Sequence, residues 1–385
     1  MEIANELINS VKTTFSKKAG EKVAAGEKLI SLGLGEPYFE TPIEIVDATI
    51  AALRDGKTRY CNCLGWPALR ELVAEKFRDE NKIDVQSNNV VITVGAKQAF
   101  LVALQALVRP GDEVINVTPC FLSFIPQIKI AEPDCIIRNI NISAGDFTFD
   151  MDKICESINE KTKVVIINTP HNPCGTMLTE ADAEQLIRKV KQYPDCYIIS
   201  DEIYEYLSWS GERHISLGAY PVIKDRVFTI NGMSKTFSMT GWRLGYMAVP
   251  SKWMPTVSAI LQHSNMNVTT FVQVGACASF TLDRSFLTDY CKDLKVAAEY
   301  LYEELKDTAL NVVMPKGGFF CFVDISKTSL SSDEFATALL DKTNVAVNPG
   351  IQLGDDWDSH IRISFAGNFD ELKRGVAGIK AFLES

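Results

Sequence analysis

Four short stretches carry residue types that could do chemistry together. The first is Asn168-Thr-Pro-His-Asn172-Pro-Cys-Gly175, directly after an apolar run. Two prolines and a glycine set an irregular turn that would hold the Asn172 amide in one place, although a purely structural turn reads the same way. The second is Ser200-Asp201-Glu202-Ile203-Tyr204. A carboxylate at the mouth of a buried strand needs a partner. Asp201 could face a cationic ligand atom, with Tyr204 donating beside it, or could simply cap a helix. The third is Ser234-Lys235-Thr-Phe-Ser-Met-Thr-Gly-Trp-Arg243-Leu-Gly245, which follows a strand and an Asn231-Gly232 turn. Its two cations sit among Phe, Met, Trp and small residues. Desolvation and a cationic neighbour make a lysine there a competent amine nucleophile for a carbonyl. The fourth is Val94-Gly95-Ala96-Lys97-Gln98, where a strand passes into a helix whose free N–H groups could hold a phosphate.

Taken together, the four stretches describe one ligand. It has a phosphate for Gly95, Ala96, Lys97, Ser234 and Arg243, and a protonated ring nitrogen for Asp201. Its phenolic oxygen faces Asn172 and Tyr204, and its aldehyde meets Lys235. Pyridoxal 5′-phosphate has all four groups.

The elements that must position these residues are short apolar runs alternating with helical patterns. Strands are predicted at Val90–Val94, Glu113–Val117, Val164–Asn168, Tyr197–Ser200, Val227–Ile230 and Leu244–Val249. Few charges interrupt them, as expected of strands covered on both faces. Helices are predicted over Lys97–Val108 and over Thr179–Lys191, the latter opening on a Thr179/Asp182 capping box. The alternation predicts a doubly wound, mostly parallel sheet, with ligands at the carboxyl ends of its strands. A long helix over Asp283–Lys306, strands at Phe319–Val323 and His360–Phe365, a turn at Asn348-Pro-Gly350 and a helix over Phe369–Leu383 belong to a second, smaller unit.

Composition sets the outer limits. The chain has 385 residues, 39 Lys plus Arg against 49 Asp plus Glu, and a net charge of −10. That balance disfavours nucleic acid and anionic membranes as partners. Ten scattered cysteines and four histidines show no zinc spacing, so no metal is expected. The cysteines read as reduced thiols in a cytoplasmic protein, and no apolar run reads as a signal or a membrane span.

In order and spacing these motifs resemble the fold-type I pyridoxal-phosphate enzymes, class I/II aminotransferases of the aspartate/aromatic type. The likeness runs from Leu32-Gly-Leu-Gly35-Glu-Pro37 to Ile361-Arg362-Ile363-Ser364. It implies an α/β fold in which a seven-stranded, mostly parallel sheet lies between helices, with a smaller α+β domain built from both chain ends. The expected division is residues 1–47, an N-terminal arm and part of the small domain; 48–283, the large cofactor domain; and 284–385, the small C-terminal domain. The resemblance makes Lys235 the Schiff-base lysine and proton carrier, with Asp201 on the ring nitrogen. It places Asn172 and Tyr204 on the phenolic oxygen, and Ser234, Arg243, Gly95, Ala96 and Lys97 around the phosphate. Gly35 and Arg362 match the substrate α-carboxylate site, and Tyr60 matches a tyrosine that reaches the phosphate of a neighbouring subunit, which implies a homodimer with shared sites. Lys97 and Ser10 match residues that meet a distal carboxylate in relatives with acidic substrates. Phe121 stands where relatives often stack a Trp or Tyr on the cofactor; it can stack but has no polar handle. The expected activity is transfer of an amino group from an L-amino acid to a 2-oxo acid. A β-lyase, a cyclising synthase or an amino-acid oxidase would use the same residues, because these set the cofactor's chemistry and not the fate of the carbanion.

Overall fold

In a computed structural model, which describes residues 13–385, the predicted strands assemble into one seven-stranded sheet. Its order is Val90–Val94, Leu244–Ala248, Val227–Gly232, Tyr197–Asp201, Thr162–Asn168, Glu113–Thr118 and Ile136–Asn141. All neighbours run parallel except Leu244–Ala248, which is antiparallel to both of its partners. Alternate residues of the Thr162–Asn168 strand explain its uninterrupted apolar run. Val164 and Ile166 pack with Phe100 and Leu104 on one face, and Val165 and Ile167 pack with Leu186 and Ile198 on the other. Burying each such side chain contributes about 1.5–3 kcal/mol, so both faces favour the same register.

The Ile136–Asn141 strand is absent from the sequence-based expectation. It is an edge strand, and Ile136, Arg138, Asn139 and Asn141 are exposed, so neither an apolar run nor a clean alternation marks it. A second correction concerns Asn231-Gly232, which is not a turn. The Val227–Gly232 strand continues through both residues and passes directly into the short helix Met233–Thr236. Gly232 lies opposite Gly245 on the antiparallel neighbour, and a Cβ on Gly232 would come 3.1 Å from the Gly245 Cα. The glycine serves close strand approach rather than chain reversal.

The remaining elements form a smaller sheet of Asn348–Pro349, His360–Ser364, Phe320–Asp324 and Asn311–Val312, all antiparallel. Asn348-Pro349 is therefore a short strand paired with Arg362 and Ile361, not the expected turn; Gly350 begins a 3-10 helix after it. Ile30–Ser31 pairs in parallel with Val345–Ala346, which ties the chain's early segment to its late one. Helices Ser285–Leu305, Ser332–Thr343 and Phe369–Leu383 enclose this sheet through Leu294, Leu301, Phe335, Leu339 and Ile379. The capping boxes at Thr179/Asp182 and Ser331/Glu334 are both formed. Residue 47 falls inside the helix Ile43–Arg54, and residue 284 immediately precedes the Ser285–Leu305 helix. Among the described residues, no helix is long and apolar enough to cross a membrane.

Candidate active site

Strand direction gathers the chemistry at one edge of the large sheet. Asn168 and Asp201 are the last residues of adjacent parallel strands and lie side by side in register. The next strand ends at Gly232 and delivers Ser234 and Lys235. Because Leu244–Ala248 runs the other way, its beginning meets the same edge and brings Arg243 there. The outer strand ends at Val94, paired with Leu244, and delivers Gly95–Lys97 at the start of the helix Gly95–Leu107.

These ends surround a cavity of about 500 Å³. Ala96, Lys97, Ser234, Arg243, Asn172, Asp201, Tyr204 and Lys235 all line it. Gly35 and Phe121 also reach it. Arg362 stands just behind Asn172, donating from Nη1 to the Asn172 Oδ1 at 3.1 Å. Tyr60 is 84% exposed and does not line the cavity. Ser10 lies outside the described residues.

Each charged group is set by its surroundings. Burial pushes the Asp201 carboxyl up to about 7, against the backbone N–H of Ile203, which favours the carboxylate; neighbouring Glu202 raises it further, and Lys235 opposes the rise. Ile203 N–H donates to Asp201 Oδ1 at 3.2 Å, but residues 203–206 form a turn, so there is no helix for Asp201 to cap. Lys235 Nζ donates to the Gly35 carbonyl at 2.6 Å. Burial brings its ammonium down to about 8, and Arg362 and Arg243 push the same way, while Glu36 and Asp201 resist. The free amine a nucleophile or base requires is therefore reached at far lower pH than for an ordinary lysine, with roughly a tenth of the group unprotonated at pH 7. Burial holds the Tyr204 phenol well above its ordinary value, and Asn172 Nδ2 donates to its oxygen at 3.3 Å. Partial burial, then Arg243, lowers the exposed Lys97 ammonium, which lies 5.5 Å from the centre of the Phe121 ring.

Backbone shape makes the anion cradle. Gly95 has φ +72°, and a Cβ there would meet the Arg243 guanidinium at 2.7 Å. At Gly245 a Cβ would sit 2.4 Å from the Ala96 nitrogen. Gly95 thus keeps open the approach of Arg243, and Gly245 the approach of its strand to the Gly95–Ala96 backbone. Arg243 itself adopts φ +57°, uncommon for a non-glycine residue, and donates to Thr240 O at 2.7 Å.

Among the described residues, no carboxylate lies within 4.0 Å of Lys97, Lys235, Arg243 or Arg362 as an ion-pair partner. The Arg362 Nε is buried without any acceptor, and burial lowers this guanidinium to about 10. Unpaired cations around a cavity with glycine-held backbone donors fit a phosphate and a carboxylate. A buried acid and a depressed lysine opposite them fit a ring nitrogen and an aldehyde, so the residues present suit pyridoxal phosphate.

Three contributors escaped the sequence-based reading. Asn168 Oδ1 accepts from the Asn172 N–H at 2.8 Å and so fixes the turn that aims Asn172. Glu36 lines the cavity and accepts from Thr240 Oγ1 at 2.8 Å. Asn348 Oδ1 accepts from Arg362 Nη2 at 2.8 Å. Cys120 and Cys174, which flank the site in sequence, are buried, and burial pushes the Cys120 thiol up to about 12 and Cys174 well above its usual value. Thiols in that state are poor nucleophiles.

Comparison with known proteins agrees with this geometry. Residues 27–379 match the family model for aminotransferase class I and II. An aspartate aminotransferase of Pyrococcus abyssi is 36% identical over 363 residues, covering 92% of each chain. The solved structure of Thermus thermophilus aspartate aminotransferase with maleate superposes with a TM-score of 0.90 at 31% identity, covering 98% of this chain and 99% of that one. An aromatic aminotransferase of Pyrococcus horikoshii gives a TM-score of 0.89 at 32% identity, covering 95% and 98%. The chain belongs to the class I and II aminotransferases and is an enzyme that transfers amino groups with pyridoxal phosphate.

Proposed function

We propose that this aminotransferase takes the amino group of an acidic L-amino acid and passes it to a 2-oxo acid, with Lys235 as its central catalytic residue. The observation that carries the proposal is the convergence of Lys97, Lys235, Arg243 and Arg362 on one region without carboxylate partners. Ser234, Arg243 and the N–H groups of Gly95, Ala96 and Lys97 hold the phosphate, through charge-assisted bonds and the helix start. Asp201 keeps the ring nitrogen protonated, and Asn172 and Tyr204 hold the phenolic oxygen. Phe121 stacks on the ring. When bound, pyridoxal phosphate supplies an aldehyde for the amine and an electron-withdrawing ring that stabilises negative charge at the α-carbon. Lys235 removes and returns the α-proton. Its Nζ is held by the Gly35 carbonyl at 2.6 Å and lines the same cavity as Asp201 and Tyr204. Arg362, with Gly35 and Asn172, orients the α-carboxylate.

Lys97 at the cavity mouth supports an acidic side chain, with Ser10 as its assistant. Relatives named aspartate aminotransferase, one of them solved with the four-carbon diacid maleate, agree with that choice. We further propose that two copies form a dimer in which Tyr60 of one completes the phosphate site of the other; its high exposure in the single chain supports this. The proposed working division is the one above, 1–47, 48–283 and 284–385, in a cytoplasmic protein, and ten free cysteines suit a reducing compartment.

The test begins with the cofactor-loaded protein. Borohydride should fix the cofactor to the peptide carrying Lys235, and Lys235→Ala should stay folded with no turnover. Label on another peptide would overturn the assignment. L-aspartate alone should bleach the carbonyl form of the cofactor, and a 2-oxo acid should restore it. Release of product without an acceptor would point to a lyase or oxidase instead.

A further inference from the structure

We propose that Asn348 is a positioning residue for substrate recognition, a neutral stand-in that holds the Arg362 fork until the substrate α-carboxylate replaces it. The inference deepens the reading above and rests on the carboxylate role of Arg362.

The argument is a count of N–H groups. A guanidinium has five, in a fixed planar fork. In Arg362, Nη1 donates to Asn172 Oδ1 at 3.1 Å. Nη2 donates both to the Gly33 carbonyl at 2.9 Å and to Asn348 Oδ1 at 2.8 Å. Nε has no acceptor. The face of the fork lies over the Phe320 ring at 4.1 Å, which fixes its plane. A carboxylate bound by two parallel bonds must use either the Nη1/Nη2 pair or the Nε/Nη2 pair. Both include an Nη2 N–H, and both of those are already engaged. One acceptor must therefore let go. Gly33 O belongs to the main chain. Asn348 Oδ1 belongs to a side chain that can rotate.

The strand places Asn348 where this exchange can happen. Asn348 lies directly opposite Arg362 in the antiparallel pair, so the two residues share a face of the small sheet. Gly33 packs closely against it, since a Cβ on Gly33 would come 3.0 Å from Asn348 Oδ1. An amide suits this task better than the alternatives. An acid would form a permanent ion pair with Arg362 and compete with the substrate. An apolar side chain would leave a buried N–H without an acceptor and let the fork drift.

The experiment compares Asn348→Asp, Asn348→Ala and Arg362→Gln in the cofactor-loaded enzyme. It measures kcat and KM for L-aspartate and the affinity for α-methyl-L-aspartate, which has no α-hydrogen to lose, by calorimetry. Asn348→Asp keeps the acceptor and the strand, so a merely structural Asn348 would tolerate it. The proposal expects the opposite: a rise in KM and in the Kd for the analogue of about 100-fold, with kcat and Tm nearly unchanged. Asn348→Ala should raise both about tenfold. Wild-type binding in Asn348→Asp, or equal losses of kcat and Tm in both Asn348 variants, overturns the proposal. If Arg362→Gln also binds normally, the carboxylate role of Arg362 fails with it; if only the Asn348 variants bind normally, that role stands and the stand-in does not.

Discussion

Replacing Asp201 with Asn should make the cofactor-free protein more stable while disabling the enzyme, and the size of the gain should depend on pH. In the folded chain burial lifts the Asp201 carboxyl from 3.8 to about 7. Below pH 3.8 the folded and unfolded states both hold the proton, so the group contributes nothing. As pH rises from there, the unfolded chain ionises first and gains free energy that the folded chain does not, so stability falls until about pH 7 and then levels off. At 1.36 kcal/mol per pH unit the full penalty is about 4 kcal/mol at pH 8, and only about 1.5 kcal/mol at pH 5. Asparagine carries no charge at either pH and can still accept the Ile203 N–H bond through its side-chain oxygen. Urea unfolding of both cofactor-free proteins, at one fixed concentration, should show Asp201→Asn more stable by several kcal/mol at pH 8 and by a small margin at pH 5. Excess pyridoxal phosphate should stabilise wild type far more than the variant, because only the carboxylate offsets its burial against a cationic ring nitrogen. A stability difference equal at the two pH values, or a variant less stable at pH 8, would refute the claim that this carboxyl is held at a folding cost for its ligand.

Two further outcomes test the cradle and the choice of substrate. Gly245→Ala inserts a methyl 2.4 Å from the Ala96 nitrogen; overpacking of that kind costs about 1–3 kcal/mol, and absorbance titration should show pyridoxal phosphate bound at least tenfold more weakly, with L-aspartate KM at saturating cofactor little changed. Lys97→Met should raise KM for L-aspartate by roughly 10–100-fold, the worth of one hydrogen bond between charged groups, while KM for L-phenylalanine moves by less than about threefold; an equal rise for both donors would place Lys97 on the phosphate alone.

What could be read directly from residues depended on how completely each element is buried. Strands such as Thr162–Asn168 are covered on both faces, so their composition alone marks them, and their ends locate the site. The Ile136–Asn141 strand lies at the sheet edge with exposed residues on both faces, so it leaves neither an apolar run nor an alternation. Asn231-Gly232 and Asn348-Pro-Gly350 both carry strong turn signals, yet tertiary pairing overrides them: one glycine lets two strands approach, and Asn348 faces a guanidinium. Lys235 and Arg243 stood out because they interrupt an apolar, glycine-bounded stretch. Arg362 did not, since an arginine in a five-residue strand equally suits a solvent-facing edge. Its burial comes from Phe320 on the neighbouring strand of the small sheet, from Gly33, and from Asn172 beyond the large sheet, all distant in sequence and brought together only by the fold.

The way these cations are held explains how a chain of net charge −10 keeps a cationic pocket open. Lys235, Arg243 and Arg362 are restrained by the oxygens of Gly35, Thr240, Gly33 and Asn348, all of them neutral. A carboxylate in any of these places would give a better-compensated empty site, but it would have to be desolvated and displaced by each incoming anion. Neutral dipoles fix the geometry and leave the charge uncompensated, so the ligand's own charge completes the pairing. That arrangement destabilises the empty protein and strengthens binding by the same interaction. Asp201 is its counterpart of opposite sign, a buried acid with one backbone N–H donor and no ion-pair partner, which under the proposed function would meet a protonated ring nitrogen. The proposed site would thus present cations where the ligand carries its anionic groups and an acid where it carries a protonated nitrogen, so charge complementarity would favour that ligand over others.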